Sequence, residues 1–121
     1  MPIKSFEDLF TYQNAQAAIA PTKDVLDKFP RPIALRLVEQ ILSAAHSVPS
    51  NIAEGYGHRG KPDEFKRYLR IAMGSSNEVI ARLESARESG YVDQLTCEDL
   101  TAKWTVVGKQ LNKLIQNWRN F

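Results

Sequence analysis

Residues 62–88 read PDEFKRYLRIAMGSSNEVIARLESARE, and their spacing decides the fold. Phe65, Leu69, Ala72, Ser76, Val79, Leu83 and Ala86 follow one another at alternating steps of four and three. That is a heptad rhythm, which draws a narrow apolar stripe down an α-helix and demands a partner helix to cover it. Pro62 suits a first helical turn, where its missing N–H has no role, and Gly90 suits a stop. At 1.5 Å per residue this helix is about 40 Å long. Ala72, Gly74, Ser75 and Ser76 are small and lie mid-helix, where they let a neighbouring backbone come close.

Three more segments carry helical periodicity. Upstream, residues 6–29 place Phe6, Leu9, Phe10, Ile19, Val25, Leu26 and Phe29 on an apolar face, with Ser5 as N-cap and Glu7 and Asp8 in the first turn. Pro21 is expected to kink or split this helix. After the stiff Pro30-Arg31-Pro32 connector, residues 33–54 carry Leu37, Val38, Ile41, Leu42, Ala45, Val48 and Ile52. Pro49 predicts a bend near Ala45, and Gly55 and Gly57 are read as its end. Downstream, residues 97–119 carry Leu100, Trp104, Val107, Leu111, Leu114 and Trp118. Thr96 with Asp99 reads as a capping box, and Arg119 falls in the last turn. Strand alternation and hairpin dipeptides are missing. Four helices joined by short loops predict an all-α, up-and-down antiparallel four-helix bundle in one domain spanning 1–121.

Composition narrows the function classes. The 121 residues have a net charge of only +2 with the signs mixed, so any nucleic-acid role must rest on a local patch. Cys97 is the sole cysteine, which leaves no internal disulfide or cysteine-based zinc site and points to a reducing cytoplasm. The opening residues, MPIKSFEDLF, lack the apolar core of a signal peptide, and no run approaches a membrane span.

The strongest local feature is YGHRGKPDEFKRYLR, residues 56–70. Arg59, Lys61, Lys66, Arg67 and Arg70 face only Asp63 and Glu64, with Tyr56, Tyr68 and His58 interleaved. Cations that reach phosphates beside rings that stack on bases are what RNA or single-stranded DNA binding requires. The same residues also suit a solvated helix face with ion pairs such as Asp63 to Arg67. Lys109 and Lys113, with Asn112, Gln116 and Asn117, form a thinner second set. Ser47, Asn51 and Glu54 share a helix face and read as a polar staple at the next turn, with Glu54 pairing Arg59 or Arg67. His46 and His58 make no metal-binding pair, and Gly55-x-Gly57 and Gly60-Lys61-Pro62 match neither a dinucleotide fingerprint nor a phosphate loop. No catalytic site, metal, cofactor or small-molecule substrate is expected. Trp104 and Trp118 read as core or subunit contact.

Residues 47–78, SVPSNIAEGYGHRGKPDEFKRYLRIAMGSSNE, resemble the four-helix-bundle family of 23S rRNA intervening-sequence proteins. The resemblance rests on Ser47, Pro49, Ser50, Asn51, Ile52, Ala53, Glu54 and Gly55, then Glu64, Phe65, Arg67 and Leu69, then Ile71, Ala72, Gly74, Ser75 and Glu78. It covers about a quarter of the chain closely and implies a bundle that assembles into homopentameric rings. It also implies kinship with accessory proteins of diversity-generating retroelements, where a basic pentamer contacts a reverse transcriptase and nucleic acid. The family usually has two arginines after the Gln-Leu of its second helix, whereas here Gln40 precedes Ile41, Leu42 and Ser43.

The expected function is therefore a non-enzymatic oligomer that binds RNA or a nucleoprotein through residues 59–70, with Tyr56 or Tyr68 stacking. The competing expectations are a protein-interaction scaffold without nucleic acid and a weak hydrolase using His58 and Glu54.

Overall fold

A computed structural model describes residues 3–118. After a short 3-10 turn at Phe6–Asp8 come four helices: α1 (Phe10–Leu26), α2 (Leu35–Tyr56), α3 (Pro62–Glu88) and α4 (Gln94–Asn117). No strand occurs among the described residues. Each helix packs on the two beside it, α1 on α2 and α4, α3 on α2 and α4, while the diagonal pairs stay apart. Short connections between successive neighbours give the all-α up-and-down bundle that the periodicity predicts.

The heptad stripe of α3 is the centre of this arrangement. All seven of its positions, from Phe65 to Ala86, are buried. Opposite them lie Val38, Ile41, Ala45, Val48 and Ile52 of α2, and Leu100, Trp104, Val107 and Leu111 of α4. Gly90 ends α3 with φ +79°, a left-handed conformation that favours glycine, and the Tyr91 amide returns 2.9 Å to the Ala86 carbonyl.

Ser76 and Trp104 hold three helices in register. The Trp104 indole donates to the Thr22 hydroxyl of α1 at 3.0 Å, and Thr22 donates to the Ala18 carbonyl at 2.8 Å. Ser76 of α3 donates 2.9 Å to the Trp104 carbonyl. Every polar group in this buried knot has a partner, so burial carries no desolvation penalty left unmet.

Five expectations are corrected. Pro21 does not split the first helix, because α1 runs unbroken through it. The carbonyl its ring deprives belongs to Ala17, on the exposed side, where water can serve it. Ser5 starts the 3-10 turn rather than α1, with the Asp8 carboxylate accepting from the Lys4 and Ser5 amides. Phe10 then begins α1 facing outward, 76% exposed, not on the apolar face. Gly55 does not end α2; it is buried inside its last turn, and Gly57 caps the helix in a right-handed conformation. The capping box at Thr96 and Asp99 is displaced: α4 starts three residues earlier, and the Asp93 carboxylate accepts the Thr96 amide at 2.7 Å. Arg119 lies outside the described residues.

Among the described residues no helix is long and apolar enough to cross a membrane.

Candidate functional site

The basic segment wraps the corner where α2 ends and α3 begins. Residues 57–61 form a tight turn in which the His58 amide meets the Gly55 carbonyl and the Lys61 amide meets the His58 carbonyl. Asp63 and Glu64 occupy the first turn of α3, where the helix dipole favours negative charge. The chain thus places its cations around that turn and just beyond it.

The five cations do not form one face. Lys66 and Arg70 are four residues apart and share an outer stripe of α3, with Asp63 beside them. Tyr68 is two residues from each, about 160° around the helix, and faces α2. Lys66 is half-buried and the other four cations are exposed. Arg67 pairs with Glu64 at 2.9 Å, not with Asp63, and that bond and charge hold the Glu64 carboxyl below the usual carboxylate range. Arg59 donates 3.1 Å to the Tyr56 carbonyl and lies 4.3 Å over the Tyr56 ring. Arg67 and Arg59 are therefore not available to the exposed Glu54, and no ion pair forms there among the described residues.

The two tyrosines part company. Tyr56 is 6% exposed and stands edge-on to Phe65 and Trp118, with Arg59 over its ring. Its faces belong to the core, which removes it as a stacking surface. Tyr68 is half-buried; the His58 imidazole lies parallel to it, 5.2 Å between centroids with planes 9° apart, and the Arg67 guanidinium is 4.6 Å from its ring.

Ser47 and Asn51 do staple, but between helices and not at the turn. The Ser47 and Ser75 hydroxyls are 2.9 Å apart across α2 and α3, and Asn51 donates to both the carbonyl and hydroxyl of Ser47. Pro49 and Gly55 are buried in α2 and Phe65 in α3, whereas Ser50 and Glu54 are exposed. Gly74 faces open space with nothing within 4 Å of a built Cβ, so within one chain it admits no neighbouring backbone. Trp104 and Trp118 both sit in the chain's own core, which leaves neither for a subunit contact.

Sequence reading missed the Gly55–Tyr68 contact and the apolar groove between the start of α1 and the end of α4. That groove, about 680 Å³, is lined by the apolar Ile3, Leu9, Phe10 and Leu114 and by the polar Asp8, Thr11, Gln13, Gln110, Lys113 and Asn117. Phe10 at the first helical position was the available signal, since its neighbour Leu9 already fills the core. Among the described residues no three His, Cys, Asp or Glu side chains converge as a metal site needs. Burial, and then the Glu84 charge, push the Cys97 thiol up, away from the reactive thiolate.

A family model described as 23S rRNA-intervening sequence protein matches residues 7–113. Among solved structures the chain is similar to a protein of unknown function from the S23 ribosomal protein family of Bacteroides thetaiotaomicron. The two are 19% identical, with a TM-score of 0.77 over 88% of this chain and 99% of that one, a likeness of fold. No curated protein matches the sequence significantly.

Proposed function

The chain belongs to the 23S rRNA-intervening sequence protein family, and from that membership we propose that it is a non-enzymatic, oligomeric bundle binding RNA, or RNA within a nucleoprotein, at the α2–α3 corner. The observation that carries the proposal is the state of the charges there. Of Arg59, Lys61, Lys66, Arg67 and Arg70, only Arg67 has a carboxylate partner among the described residues. Arg59 is engaged by the Tyr56 carbonyl and ring, whereas the Lys61, Lys66 and Arg70 side chains make no hydrogen bond or salt bridge among the described residues; such cations neutralise phosphates and release their counterions. They surround one corner of a chain whose net charge is only +2, so attraction is local to that end.

Assembly of copies is part of the same proposal, a ring of five being what the family resemblance implies. The groove beside Phe10 supports it: Phe10 and Ile3 are exposed there beside Leu114, and grouped apolar side chains mark an interface more often than scattered ones do.

The test is fluorescence anisotropy of a labelled, structured ribosomal-RNA fragment. Binding is expected at low salt and is expected to weaken steadily as salt rises. No binding at low salt, or binding indifferent to salt, overturns the proposal. Capture of a protein partner that survives nuclease treatment, with no RNA affinity, would favour the scaffold instead.

A further inference from the structure

Resting on that RNA-binding reading, we infer that Tyr68 is a stacking platform for one unpaired nucleobase, and that His58 occupies the base's place until RNA arrives. A ring nearly parallel to Tyr68, at 9° and 5.2 Å, already has the geometry a base adopts on an aromatic side chain. The imidazole is smaller than any base, so a base covers more of the tyrosine face. His58 is exposed, and its ring nitrogens make no hydrogen bond among the described residues. Rotation of its own side chain clears the platform without disturbing the backbone bonds of the turn.

Tyr68 itself is fixed. Its Cβ lies against the backbone of α2 at Gly55, where a side-chain carbon would approach to 2.5 Å. Gly55 is therefore a positioning residue: its bare backbone sets where the Tyr68 ring emerges. Lys61 in the turn supplies charge for the phosphates flanking a stacked base, joined by Arg67, which lies over the Tyr68 ring at 4.6 Å, and Arg59 once phosphate draws them from Glu64 and Tyr56. Tyr56 has no such role because its ring is enclosed. Stacking requires an unpaired base, so the platform selects single strands, loops or bulges over continuous duplex.

The experiment compares a short labelled oligoadenylate with an A-form RNA duplex of equal length, using the full chain and four variants. Tyr68→Leu is expected to weaken oligoadenylate binding roughly tenfold and leave duplex binding unchanged. Tyr68→Phe keeps a stacking ring and is expected to restore wild-type affinity. His58→Ala removes the competing ring and is expected to match or exceed wild type for oligoadenylate. Arg59→Ala with Lys61→Ala, which removes the two turn cations beside the platform, weakens both probes. If Tyr68→Leu binds both probes like wild type while the double cation variant loses both, stacking is wrong and phosphate binding stands. If His58→Ala loses as much as Tyr68→Leu, the placeholder role is wrong. If wild type binds neither probe at low salt, the RNA-binding reading falls and the platform with it.

Discussion

A methyl group added to Gly55 would come 2.5 Å from the Tyr68 Cβ and 3.1 Å from the Phe65 ring. Alanine favours a helix over glycine by about 1 kcal/mol, which pulls toward stability. The clash is larger, because the opposing atom is a Cβ tied to its backbone and cannot swing away. Gly55→Ala is therefore expected to lower stability by about 1 to 3 kcal/mol, read from the urea midpoint at constant slope. An unchanged midpoint would mean that α2 and α3 do not approach this closely. Sequence could place Gly55 near a helix end but not inside a helix contact, since glycine serves both uses. The fate of the two tyrosines was hidden for a related reason. Both flank cations in the chain, and Tyr56 is enclosed by Phe65 of α3, by Arg59 and by Trp118 just past α4, the last of which is remote in sequence.

At the scale of the element, the stripes were legible because burial follows the same period as the helix. Every heptad position of α3 is buried, and so are the main apolar positions of α2 and α4. Ends and interruptions were less legible. Pro21 looked like a break, yet the orphaned Ala17 carbonyl lies on the wet side, which the local pattern does not announce. Asp93 and Thr96 are both good capping residues; the choice falls on Asp93 because the Tyr91–Val92 loop, half-buried against the core, brings the chain in there. Hydrogen bonds from Thr96 hold the Asp93 carboxyl below its ordinary range. A depressed folded-state value makes the sign definite: the cap's contribution is present above the unfolded value, near 3.8, and is lost as pH falls through the lower folded value. Asp93→Ala is expected to lower the melting temperature by a few degrees at neutral pH, and by progressively less as the pH is brought below that value. A melting-temperature difference that stayed constant down to strongly acidic pH would contradict this cap.

For the whole molecule, antiparallel packing decides which features share an end. The last turn of α2, the first of α3, the first of α1 and the last of α4 all come together. The cationic corner lies between α2 and α3, and the Phe10 groove lies between α1 and α4, on the opposite side of that end. Copies joined through the groove would leave every corner open to RNA. Light scattering is expected to give a multiple of the 13.7 kDa chain mass for the wild type and a smaller assembly for Phe10→Glu, with RNA affinity per chain retained. A monomeric wild type at micromolar concentration would contradict assembly. The proposed interface was only half legible from sequence: the cations are local in the chain, but their division into an outer stripe and a ring-lined side needs the helix to be wound. The most direct test of the corner is the slope of log affinity against log salt for the ribosomal-RNA fragment. Replacing Lys66 and Arg70 together with Ala should make that slope shallower by about 1.5, two phosphate contacts at roughly 0.7 to 0.9 each. A variant with the wild-type slope and affinity would place the RNA elsewhere or nowhere.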